Sequence, residues 1–143
     1  MIKSYRGQLD AGDSIRISLS TPDGKMGYRI VKLATIVDEP AAYDTEATLK
    51  IFTDKQDSVT STMDFSDSTL LGVAYAKTGS SSSEPTPPQT TIFDNTIFNQ
   101  NIFVTSVEPI SSRPNNYLIE LEQVKLDENE ALVAIVKNLR INQ

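Results

Sequence analysis

Ser14-Ile15-Arg16-Ile17-Ser18-Leu19-Ser20 alternates without a break, with Ile15, Ile17 and Leu19 on one side and Arg16, Ser18 and Ser20 on the other. A half-buried β-strand requires this period of two, because successive side chains of a strand point to opposite faces. The next residues, Thr21-Pro22-Asp23-Gly24, carry a turn signal: Pro22 presets φ, and Gly24 is free to take a positive φ. Together they predict a hairpin whose second strand covers residues 28–37. That partner begins with Tyr28 and Ile30 on one side, then switches parity so that Val31 and Leu33 carry the apolar set. A β-bulge, or burial of both faces, reconciles the two halves.

The same period recurs outward from this pair. In residues 47–52, Ala47, Leu49 and Ile51 alternate against Thr48 and Lys50. In residues 70–77, Leu71, Val73 and Tyr75 alternate with Ala74 and Ala76. Residues 116–126 place Tyr117, Ile119 and Leu121 inward and Glu120 and Glu122 outward, before Val124 and Leu126 change parity and suggest a second bulge. Strands over 2–9, 90–95 and 101–107 bring the expected number to about eight, which predicts an all-β fold, an antiparallel sandwich or jelly roll. One segment breaks the pattern. Asp127 and Glu130 match a capping box, and Leu132, Ile135, Val136 and Leu139 follow at helical spacing, so a short C-terminal helix is expected. The run 131–136 is wholly apolar and also suits a buried strand.

With 143 residues, the chain is expected to form a single domain, 1–143, around one core. It has no His, Cys or Trp. The commonest general base, the thiolate nucleophile and the usual nitrogen and sulfur metal ligands are therefore missing. The formal net charge of −6 repels phosphate backbones, which argues against a nucleic-acid partner. No run approaches the ~18 apolar residues of a membrane span. Met1-Ile2-Lys3-Ser4-Tyr5-Arg6 shows no apolar signal region, and synthesis in the cytoplasm is the simplest expectation. Acidic residues occur in loose pairs, Asp10 with Asp13, Asp38 with Glu39, Asp54 with Asp57, and Asp64 with Asp67, in no calcium-loop pattern. They read as solvated turn residues, an acid-pair glycosidase being the alternative that needs a cleft. Serine clusters lack a His partner, and Asp23-Gly24-Lys25-Met26-Gly27 lacks the phosphate-loop arrangement. The expectation is a non-enzyme with no cofactor and no metal.

Two stretches stand apart. Thr78-Gly79-Ser80-Ser81-Ser82-Ser83-Glu84-Pro85-Thr86-Pro87-Pro88 is the only low-complexity segment, and 78–89 is expected to be a flexible surface loop or an arm that orders on a neighbouring subunit. Ile-Phe then recurs three times at a spacing of five, at Ile92-Phe93, Ile97-Phe98 and Ile102-Phe103. Three units are too few for a solenoid, so two short strands joined by an Asn-rich turn are expected. Alternation buries only one member of each pair on the inner face. Part of the set Ile92, Phe93, Ile97, Phe98, Ile102 and Phe103 is therefore expected to meet another chain.

The opening Met1-Ile2-Lys3-Ser4-Tyr5-Arg6-Gly7, the stretch from Leu19 through Pro22 and Gly27 to Ile30, the Ile92-Phe93-Asp94-Asn95 run with Phe98-Asn99-Gln100, and Tyr117-Leu118-Ile119-Glu120-Leu121-Glu122 followed by Leu126-Asp127-Glu128-Asn129-Glu130 carry a resemblance. There the chain resembles the small β-rich virion structural proteins of marine tailed bacteriophages. The resemblance implies a jelly-roll-like head decoration or cement protein on the capsid surface, assembled in the host cytoplasm. It also implies that the protein binds the major capsid protein or other virion proteins, and that it is a homo-oligomer with a trimer favoured. It carries over no functional residues. The alternative is a tail- or head-fibre-associated module that binds host surface glycans on its loops. Deleting residues 80–87 should leave the domain folded, since the segment holds no core residue and loop shortening changes closure entropy only modestly. A circular dichroism melt that shows the deletion variant unfolded would mean a strand has been misplaced.

Overall fold

A computed structural model describes residues 1–19, 24–78 and 89–126. Among them are eight strands: β1 (Ile2–Leu9), β2 (Ser14–Ile17), β3 (Met26–Val37), β4 (Thr45–Phe52), β5 (Leu70–Thr78), β6 (Gln89–Phe93), β7 (Ile102–Val107) and β8 (Asn115–Lys125). They form two antiparallel sheets, ordered β1-β8-β3 and β2-β7-β4-β5-β6. Tyr28, Ile30, Leu33, Ile119 and Leu121 of the smaller sheet share one hydrophobic cluster with Leu49, Ile51, Ala74, Ile102 and Val104 of the larger. The all-β expectation of about eight antiparallel strands is met, and two sheets enclosing one core are consistent with a sandwich. The expected C-terminal helix from Asp127, and the Ser/Pro-rich segment between Thr78 and Gln89, lie outside the described residues.

The expected hairpin between residues 14–20 and 28–37 is not formed. β2 pairs with β7, Ile15 opposite Val104 and Ile17 opposite Ile102, while β3 pairs with β8. Alternation decides which face of a strand is buried, not which neighbour it takes in the sheet, and the connection between β2 and β3 passes from one sheet to the other. The bulge expected within β3 is present. Its register against β8 shifts between Ile30 and Lys32, which leaves Val31 as the extra, exposed residue while Ile30 and Leu33 both point inward. The second bulge is absent: β8 keeps its register from Leu121 to Lys125. The parity change there comes from the strand ending, after which Leu126 turns into the interior and its N–H donates to the Lys25 carbonyl at 2.7 Å.

The sidedness of β5 also differs from its expected alternation. A register shift against β4 sets Phe52 opposite Leu70 and Ile51 opposite Gly72, so Leu71 is the bulged residue and parity inverts beyond it. Gly72, Ala74 and Ala76 therefore lie on the same face as Ile51, Leu49 and Ala47, while Val73 and Tyr75 face outward with Lys50 and Thr48. The physical reason is space. A Cβ on Gly72 would lie 3.3 Å from Leu33 Cδ2 and 3.1 Å from Phe93 Cβ, so only small residues let β3 cross β5 this closely. β4 occupies the centre of the larger sheet and is buried on both faces, Thr48 and Lys50 included.

Between β6 and β7 the chain returns to the smaller sheet for one residue. Phe98 N–H donates to the Tyr28 carbonyl at 2.9 Å, Tyr28 N–H donates to the Phe98 carbonyl at 2.8 Å, and the two rings stack with centroids 6.4 Å apart. Phe98 is 1% exposed. Phe98→Ser should cost about 4 kcal/mol of folding stability, because it leaves a cavity and buries a hydroxyl. Urea unfolding measures this, and a cost under about 1 kcal/mol would contradict the core assignment.

Candidate functional site

The six residues of the Ile-Phe repeat do not form one surface. Ile102, fully buried, and Phe98 belong to the core, so neither offers area to a partner, which corrects the expectation for both. Phe93 packs against the core beside Gly72, and Ile97 lies against β3, where its Cγ2 would be 2.7 Å from a Cβ on Gly27. Phe103 is half-buried on the outer face of the larger sheet, opposite Phe52 and Arg16. Ile92 alone of the six is strongly exposed, at 49%, on the same outer face opposite Val73. An odd spacing sends successive pairs to different faces, so the repeat in sequence is not a repeat in space.

Ile92 nevertheless sits in an apolar surface of another origin. The outward row of β5 and β6, Val73, Tyr75, Thr90 and Ile92, meets Met63 and Phe65 from the connection between β4 and β5 to form a cleft of about 240 Å³. Phe65 is 63% exposed and Met63 39%. Burial, with the Glu46 carboxylate hydrogen-bonded to it, raises the pKa of the Tyr75 phenol. Three large side chains so exposed along one cleft make a contiguous patch, unlike the scattered single residues of an ordinary surface.

The connection 53–69 owes its shape to local hydrogen bonds. Asp64 accepts from the Ser66 N–H at 2.9 Å and hydroxyl at 2.5 Å, and Asp67 accepts from the Thr69 N–H at 2.9 Å and hydroxyl at 2.7 Å. These are side-chain-to-backbone turns, and the Ser66 hydroxyl and N–H hold the Asp64 carboxyl below its ordinary pKa. Lys50 ties the connection to the sheet. Its Nζ donates to the Thr62 carbonyl at 2.8 Å and lies 5.5 Å from the centre of the Phe52 ring. Burial lowers the Lys50 pKa, with the Asp67 charge opposing. Met63 and Phe65 thus follow directly from the residue that Lys50 anchors.

A second polar centre, which the sequence reading did not single out, lies just beyond β7. Glu108 is 1% exposed. Its carboxylate accepts from the N–H groups of Glu46 at 2.8 Å, Ile110 at 3.1 Å, Ser111 at 2.6 Å and Arg113 at 3.3 Å, and from the Ser111 hydroxyl at 2.6 Å. Arg113 in turn donates to Asp38, lies 3.6 Å from Glu39 and covers the Tyr43 ring at 4.7 Å. A Glu beginning Glu108-Pro109-Ile110-Ser111-Ser112 is a side-chain cap signal for the turn that follows, and Ser112 there takes a φ of 57°. This is a framework device, with both carboxylate oxygens of Glu108 engaged. Among the described residues no group of three or more Asp or Glu side chains is placed to hold a metal ion.

Burial pushes the Glu108 pKa up, but the hydrogen bonds from Ser111, Glu46 and Arg113 outweigh it and the net displacement is downward. A depressed folded-state pKa gives stability that is fully present above the unfolded carboxylate value of about 4.3 and is lost as pH falls through the folded value. Glu108→Gln should cost about 2 kcal/mol at pH 7 and flatten the acid limb of the stability profile. Urea midpoints from neutral to acid pH test this, and parallel profiles for both proteins would contradict it. Comparison of the sequence with protein-family models and with curated proteins gives no match.

Proposed function

We propose that this chain is a non-enzymatic structural protein of a bacteriophage virion, a head decoration or cement protein that binds the capsid shell and other copies of itself. The observation that carries the reading is the exposed apolar cleft formed by Met63, Phe65 and Ile92 on the outer face of the larger sheet. At ~25 cal/mol per Å² and about 150 Å² or more per aromatic ring, covering Phe65 and Ile92 is worth several kcal/mol before the entropy of association is subtracted. A partner surface is the natural use of such a face, and the resemblance to phage virion proteins names the assembly.

The strand pairing supports a jelly roll as the finer description. β1 pairs with β8, β2 with β7 and β4 with β5, the pattern of one long hairpin folded over on itself. The remaining pair in such a fold is β3 with β6. Here β6 joins β5 instead, and among the described residues the β3 edge takes only the Tyr28–Phe98 bridge just after β6. Jelly rolls occur in viral capsid proteins and in lectins, so the fold alone leaves the role open. A trimer on the shell is the oligomer we favour.

Phe65→Ser combined with Ile92→Ser should leave the thermal midpoint nearly unchanged, because both residues are exposed, while incorporation into virions falls at least tenfold. Quantitative mass spectrometry of purified particles should find hundreds of wild-type copies per head. A few copies at the tail tip, or normal incorporation of the double variant, would overturn the proposal.

A further inference from the structure

Among the described residues the two sheets have four edge strands, β1 and β3 of the smaller and β2 and β6 of the larger. An edge presents unpaired N–H and C=O groups, and a charge on the strand is what ordinarily keeps another chain from pairing with them. β1 carries Lys3 and Arg6, and β2 carries Arg16 within only four residues. β3 carries Arg29 and Lys32, is interrupted by the bulge at Val31, and meets the Phe98 bridge near its start. β6, Gln89-Thr90-Thr91-Ile92-Phe93, carries no charge, keeps an unbroken register against β5, and pairs with β5 alone among the described residues. Three guarded edges make the fourth an exception.

The strand's own composition decides what fits it. A second copy of a chain with net charge −6 is repelled over most approaches, but edge to edge at β6 none of the five residues is charged. A two-fold axis through Thr91, perpendicular to the sheet, sets Thr91 opposite its counterpart, Ile92 opposite Thr90, and Phe93 opposite Gln89, so that all five residues find a partner. Whichever alternate set of backbone groups points away from β5, this pairing forms about four to six hydrogen bonds. Ile92 lies on the outer face with Val73, and there the two Ile92 side chains become diagonal neighbours about 7 Å apart. Asp94, the first charge beyond the strand, lies about 20 Å along the strand direction from its counterpart, more than a Debye length.

We propose that β6 is the self-association surface of this protein, pairing antiparallel with β6 of a second copy and joining the two larger sheets into one. The inference deepens the reading above, in which copies bind one another, and rests on it. An isologous contact of this kind needs no second surface, because the strand is complementary to itself. Since the axis is perpendicular to the sheet, the outer faces of both copies point the same way, and the two clefts of Met63, Phe65 and Ile92 lie on one side of the pair. The shell contact stays open. In solution the β6 contact makes a dimer; on the shell, where we favour a trimer, it joins copies of neighbouring trimers.

Sedimentation velocity of the full chain over a concentration series tests it. The wild type should pass from monomer to dimer as the concentration rises into the high micromolar range. Thr91→Lys, which sets two ammonium groups across the axis, should weaken association at least tenfold, and Thr91→Glu should do the same. Thr91 is exposed, so the thermal midpoints of both variants at low concentration should match the wild type. An equal mixture of Thr91→Lys with Thr91→Glu should recover the dimer, a rescue that simple destabilisation does not produce. These measurements use the isolated protein, so their failure is separate from that of the shell contact, which virion incorporation of the Phe65→Ser, Ile92→Ser variant reads. A wild type that stays monomeric throughout, a trimer in solution, association unchanged by Thr91→Lys, or a mixture no more associated than either variant alone would each overturn the assignment.

Discussion

Lys50 sits on the middle strand of the larger sheet, and its burial is the constraint on which the outer face depends. A buried ammonium needs acceptors, and the sheet supplies none on that side, since backbone carbonyls are committed to the ladder. The nearest solution is a carbonyl from chain laid over the sheet, and Thr62 provides it at 2.8 Å. That bond draws the connection 53–69 across β4, while the Thr53 N–H, donating to the Thr69 carbonyl at 2.9 Å, closes its two ends and its Asx-type turns shape it in between. Met63 and Phe65 then have no inward direction left, because Val73, Tyr75 and Lys50 already fill the sheet face beneath them. The exposed apolar cleft follows from a polar requirement one strand away.

Glu108 solves the mirror problem at the start of the same strand, where its carboxylate accepts from the Glu46 N–H. Both groups are charged and buried, yet their pKa values move in opposite ways relative to their charged forms. Lys50 has one strong acceptor, so desolvation dominates and its charge is disfavoured. Glu108 collects donors from Glu46, Ile110, Ser111 and Arg113, and these outweigh desolvation. The number of hydrogen bonds to the charged form decides which effect wins. The consequence is mechanical: the 108–113 turn is fixed to β4 through the Glu46 amide, whereas 53–69 is held to the sheet chiefly through one lysine.

Much of this was legible in the sequence where a strand is buried on one face only. β1, β2 and β8 lie where alternation places them, and the parity switch at Val31 marks its bulge. The reading fails where neighbours decide. β4 is covered on both faces, so Thr48 and Lys50 look outward in sequence yet are buried in the fold. Leu71 is displaced by a bulge whose only signal is the run of small residues after it, Gly72, Ala74 and Ala76, and that run is the imprint of β3 crossing above. The hairpin expected across Pro22 and Gly24 fails for a related reason, since a turn sequence does not state whether the chain stays in its sheet. Of the candidate face, Ile92 was legible as surplus apolar surface, but Met63 and Phe65 sit in a polar stretch with no period to mark them.

The two edges of the larger sheet differ in how they are guarded against pairing with another chain. An exposed edge strand is a template for unwanted pairing, and short length or a charge on the strand protects it. β2 has both protections, four residues with Arg16 among them. β6 has neither to the same degree: Gln89-Thr90-Thr91-Ile92-Phe93 carries no charge, and its outer face continues into the cleft with Met63 and Phe65. An edge left uncharged beside apolar surface is a liability in a free monomer and an asset where another subunit covers it. Among the described residues the uncharged edge and the apolar cleft therefore coincide on β6, the side on which the proposed contact with a partner would lie, away from the guarded β2 edge.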